Sequence, residues 1–395
     1  MKFRSWSLNL ASFLFLPFFI YVYFGINSLI PGIVLGILFT IFITEKRFRH
    51  SNLPQFNRTL FYLIFILYCI SIPSMISETN FNIDRFYTSI ILLLGLILAA
   101  NKLTEKLIKL KSNSLLTFFW KLFYVLLAIL FLEVIEQIFL ERSKNVLLFP
   151  EPSHFALIFL PVILIIFRNT SKSKKKLFIL ISIIIGAILI KSLTLLLGLL
   201  LINIIINPRK SIIIMVIVFS LSNLIVISNN FFDLDFLIQR INLSNTNNIS
   251  VLVYLSGWEN AINTLSTFNL SGIGFQQLGY IPLEGQYRSK LQELGFGNLN
   301  IYDGGTTASK IITELGAFGL ILIALYLIYF RKITKKFKQK LSEFQIIFYS
   351  FYLMYFMELF VRGIGYFSPN TILFLCSLIF ILLEKQFNNE NITGT

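Results

Sequence analysis

Glu151-Pro152-Ser153-His154 sets a carboxylate, a hydroxyl and an imidazole within four residues, at the start of an apolar run. Pro152 suits the first helical position, where its missing N–H costs nothing, so Glu151 is the expected N-cap. Glu151 and His154 then share a face, and the positive end of the helix dipole favours an ionised carboxylate there. That set could act as a base with its helper. An ordinary acidic cap beside an interfacial His explains it equally well. The cations Arg85, Arg240, Arg288, Arg362 and Lys191 suit a different chemistry, the binding of phosphate; arginine is always charged and grips phosphate bidentately. Arg362 lies in Val361-Arg362-Gly363-Ile364-Gly365, where flanking glycines imply close approach of another group. Snorkelling to an interface is the plain alternative for Arg85 and Arg362. A third stretch, Asp303-Gly304-Gly305-Thr306-Thr307, leads to Glu314-Leu315-Gly316-Ala317-Phe318-Gly319. Its lysine, Lys310, is wrongly spaced for a P-loop. Glu314 falls about two turns into an apolar segment, where a carboxylate needs a partner or a wet cavity.

The elements that must hold these residues follow from composition. Of 395 residues, 56% are hydrophobic and 13% charged, with 43 Phe and a mean hydropathy of +0.78. A soluble domain carries roughly 25% charge, so an all-α integral membrane protein is expected, a single polytopic domain over 1–395. Runs long enough to cross hydrocarbon stand near 7–24, 26–44, 59–77, 84–100, 115–138, 152–168, 177–190, 192–206, 211–228, 306–330, 344–361 and 369–383, about twelve transmembrane helices. The first is read as a retained helix, because Tyr21-Val22-Tyr23-Phe24 offers no small-residue cleavage site. The two Cys, Cys69 and Cys376, both sit in apolar runs and give no disulfide framework.

The formal charge of +15 suggests nucleic acid until each charge is placed. With both termini cytoplasmic and twelve spans, 25 of the 34 Lys and Arg fall on the inner side. Merging 177–190 with 192–206 would turn the 331–340 basic cluster outward, so the two are kept apart, with Lys191 on a tight outward turn. The basic excess is therefore an orientation signal, and no nucleic-acid partner is expected.

One long segment, 229–305, joins spans nine and ten on the outer face. It holds nine of the 20 Gly, together with Tyr254, Trp258, Tyr280, Tyr287 and Tyr302. Loops of that length are functional or disordered. The apolar spacing Leu252, Leu255, Trp258, Ile262, Leu265 predicts a helix over 250–266, followed by a turn at Gly272-Ile273-Gly274-Phe275.

Taken together, these features resemble the O-antigen polymerase and ligase superfamily. Glu151-Pro152-Ser153-His154-Phe155-Ala156 is similar to the Glu-Pro-Ser box of Wzy-type repeat-unit polymerases. Gly257-Trp258-Glu259-Asn260-Ala261 with Gly272-Ile273-Gly274-Phe275 resembles the family's segment at the start of the long loop, and Glu314-x-Gly316-x-x-Gly319 its pattern after it. Lys191-Ser192-Leu193 resembles its basic turn. Two departures stand out. Gly305-Thr306 occupy the place of the His-Asn pair of the ligases, which favours a polymerase, and Tyr254 stands where many members have Arg.

The resemblance implies a GT-C-like glycosyltransferase in the cytoplasmic (inner) membrane. It would move a growing glycan from undecaprenyl diphosphate to the next lipid-linked repeat unit. From the carboxylates, apart from the resemblance, the transfer is expected to be metal-independent and without other cofactor. The resemblance assigns catalysis to Glu151, His154, Arg288 and Arg362. Binding of the substrate and its diphosphate falls to Arg85, Lys191, Arg240, Tyr254, Trp258, Tyr302 and Glu314. Implied partners are the lipid-linked donor and acceptor, the bilayer, and a chain-length regulator and flippase of the same pathway. An O-antigen ligase and a lipid-linked oligosaccharide flippase or exporter are the competing readings.

Overall fold

A computed structural model describes residues 5–26, 28–42, 53–140, 146–171, 173–207, 239–240, 242, 248–268 and 270–393. Among them every regular element is a helix. The first eight are α1 (Ser5–Tyr23), α2 (Ile30–Phe42), α3 (Leu53–Ser77), α4 (Ile83–Ile108), α5 (Ser112–Leu140), α6 (Pro152–Asn169), α7 (Ser173–Leu189) and α8 (Leu193–Ile206). After them come α9 (Ile249–Thr267), α10 (Gln286–Glu293), α11 (Thr307–Phe337), α12 (Glu343–Phe360) and α13 (Pro369–Thr393). A helix stands at each expected span except the ninth, 211–228, which lies outside the described residues together with most of 229–247.

Five of the described helices (α1, α4, α5, α6 and α11) are long and apolar enough to cross a bilayer. Shorter apolar helices occupy Ile30–Phe42, Ile64–Ser77, Leu193–Ile206 and Pro369–Glu384. The chain is thus a helical, multi-pass membrane protein.

The bundle is organised around α6 and α12. In α6, 78% of the span is buried within the protein, and α12 is buried from Ile346 through Tyr355 without a break. Helices apolar on all sides belong in the interior. In a bilayer their packing is held by van der Waals contact more than by escape from water. Aromatic rings supply much of it: Phe155 on Phe159 at 5.2 Å, Phe123 on Phe159 at 5.7 Å, and Tyr355 stacked on Phe374 at 4.1 Å. The two helices touch, and the start of α6 lies beside the end of α12, as the contact of Glu151 with Arg362 fixes.

The pair α7–α8 is two helices, as the charge distribution required. Between them Lys191 adopts φ +53, with Lys191 N–H donating to Ile188 O and Ser192 N–H to Ala187 O. That is a Schellman ending, in which the left-handed residue is usually Gly. Here it is an exposed Lys.

The segment 248–305 folds into a cap. Its helix α9 runs from Ile249 to Thr267, one residue beyond expectation at each end, and Asn248 accepts the N–H groups of Ser250 and Val251 at its start. The turn at 272–275 is also formed, with Gly272 and Gly274 at φ +78 and +94.

Candidate functional site

The cap is sewn to the bundle by the two glycine motifs. α11 is broken at Gly316 (φ 56, ψ −131), and the carbonyls released there are taken by the 272–274 turn. Ile273 N–H donates to Thr313 O at 3.0 Å, Gly274 N–H to Glu314 O at 2.9 Å, and Ala317 N–H to Leu270 O at 2.8 Å. A Cβ on Gly316 would stand 2.0 Å from Leu270 O, and one on Gly272 2.6 Å from Gly316 N. Close backbone approach, more than packing of helix against helix, is therefore what these glycines permit.

Glu314 finds the partners that its depth demands. It is fully buried; its Oε2 accepts Gln276 N–H at 2.9 Å, its Oε1 accepts Leu278 N–H at 3.2 Å, and Lys310 Nζ lies 3.5 Å from Oε1. Lys310, also buried, donates to Tyr302 O and to Gln276 Oε1. Glu314 thus positions the cap turn. The next residue, Gln277, clamps α4 by accepting Asn82 N–H at 2.7 Å and donating to Asn82 O at 3.1 Å.

That clamp places Arg85, in the first turn of α4, against the cap. Its Nη2 donates to Gln276 Oε1 and its Nη1 to the Tyr280 hydroxyl, both at 3.3 Å. The guanidinium carbon lies 5.0 Å from the Tyr280 ring centre and 4.8 Å from that of Tyr302. Asp303 is the next residue. Burial pushes its carboxyl up, and Lys310, Arg362 and Arg85 pull it back only in part. Three cations from three elements therefore face one carboxylate.

Arg362 leads from this group to Glu151. Its Nη2 donates to Glu151 Oε2 at 2.9 Å, and Ser153 Oγ donates to the same oxygen at 2.9 Å. The dipoles agree with the charges, because Glu151 caps the N-terminus of α6 and Arg362 follows the C-terminus of α12. Burial raises the Glu151 carboxyl, but Arg362, His154 and the Ser153 hydroxyl outweigh it and hold the group below the usual carboxylate range. Its side chain is 45% accessible, so the opposing charges set the sign. The Arg362 loop is pinned by Gly363 N–H, which donates to Gly305 O at 3.0 Å. A Cβ on Gly363 would meet Thr307 N at 2.4 Å, which accounts for the glycine beside this arginine.

Of the other expected residues, His154 stacks on Phe18 with ring centres 5.7 Å apart, and its Nδ1 has no hydrogen-bond partner. Arg240 is half-buried within the field of the same pair. Burial lowers its guanidinium, with Glu151 opposing and Arg362 adding to the shift. Lys191 is carried to this end of α6 by its neighbour, Ser192 Oγ donating to Pro152 O at 3.3 Å. Tyr254 and Trp258 lie one turn apart on α9, ring centres 6.4 Å apart, and Trp258 packs against the main core. Tyr302 covers Arg85. Arg288 is elsewhere: its Nη1 donates to Leu299 O at 3.2 Å and it lines a cavity of about 240 Å³ inside the cap. Glu151, His154, Arg240 and Arg362 do not line that cavity.

Reading the sequence missed Gln276, Gln277, Lys310 and Asp303 as structural partners. Lys310 and Glu314 carried a signal, the i, i+4 spacing of opposite charges on one helix. The two glutamines carried none. Among the described residues no group of three or more His, Cys, Asp or Glu could hold a metal ion. The chain's one Asp-x-Asp spacing, Asp233-Leu234-Asp235, lies outside them.

What the arrangement offers chemically is an ionised carboxylate fixed by an arginine at a helix N-terminus, with two further cations, Arg240 and Lys191, beside the same helix end. Comparison with protein-family models, with curated proteins and with solved structures returned no match to this chain.

Proposed function

We propose that the chain is a polymerase of lipid-linked oligosaccharide repeat units, acting where Glu151 meets Arg362. The observation that carries this reading is their 2.9 Å contact at the shared end of two helices that are, among those described, largely buried within the protein. In the reaction, the bond between the anomeric carbon of the growing glycan and undecaprenyl diphosphate breaks. A bond from that carbon to a hydroxyl oxygen of the next lipid-linked repeat unit forms. The diphosphate departs with the electron pair, and the hydroxyl proton passes through Glu151 to water.

Diphosphate is a good leaving group, so the main requirement is stabilisation of its developing charge by cations already in place. Arg362, Arg240 and Lys191 fill that role, and Arg85 holds the cap over them. The acceptor hydroxyl needs orientation and a weak acceptor for its proton. Glu151, ionised and fixed by Arg362 and Ser153, supports that assignment, with His154 one turn further in. Because side chains supply the positive charge, the transfer is proposed to need no metal. The cap then faces the outer side of the cytoplasmic membrane, with about twelve spans and both termini inside, as the basic residues direct.

The test is elongation by the purified, reconstituted chain given synthetic lipid-linked repeat units and resolved on a gel. The wild type is expected to give a ladder, and Glu151→Ala and Arg362→Ala to shorten or abolish it. A ladder unchanged in both variants would remove the site. A lipid moved across vesicles without elongation would remove the enzyme.

A further inference from the structure

We propose that the cavity inside the cap binds a single sugar ring bearing a carboxylate, so that the glycan handled by this chain is acidic. The inference rests on the reading of the chain as a glycan polymerase, and it places Arg288 in substrate selection, apart from the Glu151–Arg362 pair.

The cavity lies between α9, the 278–283 stretch, α10 and the 299–305 turn. Its volume, about 240 Å³, is below the roughly 300–1,000 Å³ of pockets for drug-sized ligands, which suits one ring. The amides of Asn260, Gln292 and Asn300 line it. Each offers a donor and an acceptor, the pairing that neighbouring ring hydroxyls require. Tyr280 adds an aromatic wall. The side chains that make the cavity are thus those that recognise a saccharide.

The carboxylate follows from Arg288. Among the described lining residues it is the one charged side chain. Its Nη1 is used by Leu299 O, while its Nη2 is buried and has no hydrogen-bond partner. Burial lowers this guanidinium with no carboxylate opposing, in contrast to Arg240, where Glu151 opposes. Asn260 Oδ1 is likewise buried without a partner. Two residues that line one cavity thus each carry a polar atom left without a partner inside the protein, a donor on a cation and an acceptor, which suits a ligand with an anionic acceptor and a hydroxyl donor. A uronic-acid ring carries both. A diphosphate carries more negative charge than one arginine balances and brings no hydroxyl.

The experiment is saturation-transfer NMR on the purified full-length chain in detergent. The probes are the methyl uronides of the gluco, galacto and manno series, each against its parent methyl hexoside. At least one uronide is expected to bind about tenfold better than its hexoside. Arg288→Gln should bring it down to the hexoside level and leave the hexoside unchanged, while Arg288→Lys retains part of the preference. Asn260→Asp keeps Arg288 and its Leu299 contact but sets a carboxylate against the ligand's own, so it should expel the uronide even if Arg288→Gln disturbs the fold. Failure of every uronide to bind, equal binding of uronide and hexoside, or a preference surviving these variants would overturn the proposal. So would inorganic pyrophosphate displacing the uronide more effectively than free uronate does, because the site would then be one for diphosphate. Elongation is scored separately. Ladders without uronide binding sink this inference alone, whereas Arg288-dependent uronide binding without ladders sinks the polymerase reading alone.

Discussion

At the level of single residues, the pair Glu151–Arg362 joins positions 211 apart in the chain. Each was conspicuous in the sequence, one by its Pro-Ser-His context and the other by its glycines. Their pairing was not legible, because it depends on the antiparallel packing of α6 and α12. Arginine's fork is not reproduced by an ammonium, so Arg362→Lys is expected to lose most of the activity that Arg362→Ala loses, on the order of 10²-fold for a preorganised group at the reacting charge. The elongation rate checks it. Acid titration separates the pair from an ordinary surface contact. Glu151 has a folded pKa below its unfolded one, so its ion pair contributes stability above the unfolded value and loses it as pH falls through the folded one. The difference in thermal midpoint between wild type and Glu151→Gln should therefore hold from neutral pH down to the usual carboxylate range, narrow as pH falls through it, and close only below it. Asp303 runs the other way. Its raised pKa means that its ionised form costs stability as pH rises, so Asp303→Asn should be neutral or stabilising at pH 7 and lose that advantage at acid pH. Closure of the Glu151 gap at or above the ordinary carboxylate range would contradict the assigned environment.

The elements show where sequence patterns sufficed and where they did not. Helix α9 and the division of α7 from α8 were readable, the first from apolar spacing and the second from the sidedness of charge. The break of α11 at Gly316 was not. A Glu-Leu-Gly-Ala-Phe-Gly stretch reads as a continuous helix with small residues on one face, and only the 272–274 turn reveals that the ladder opens to receive another chain segment. This interlock makes Gly316 and Gly257 sensitive. A side chain at Gly316 must adopt φ +56 and overlap Leu270 O, and a Cβ on Gly257 would lie 1.9 Å from Gly304 O. Each Gly→Ala change is expected to cost about 1–3 kcal/mol, read as a lowered unfolding midpoint in detergent. Glu314→Ala leaves Gln276 N–H and Leu278 N–H unpaired in a buried place and takes from Lys310 its ion-pair partner, and removal of one partner of such a pair costs about 3–5 kcal/mol. Glu314→Gln keeps an acceptor and should be milder. Equal effects of the two would mean that the carboxylate is not what holds the turn.

For the molecule as a whole, the net charge of +15 is read under the proposed topology as a basic inner side, and at the other end Arg85, Arg240, Arg362 and Lys310 gather around Glu151, Asp303 and Glu314. Composition made the membrane class plain. The gathering was not readable, since it is built from α4, α6, α11, the cap and the loop after α12. With side chains as the cations, elongation should survive chelation by EDTA; loss on chelation and recovery with magnesium would turn attention to Asp233 and Asp235. The most direct measurement is the release of free undecaprenyl diphosphate during chain growth by the reconstituted protein. Transfer at the Glu151–Arg362 site requires one lipid diphosphate freed for every linkage formed, with release and growth failing together in Arg362→Ala. Growth without matching release, or lipid delivered intact to the opposite leaflet with no growth, would contradict it.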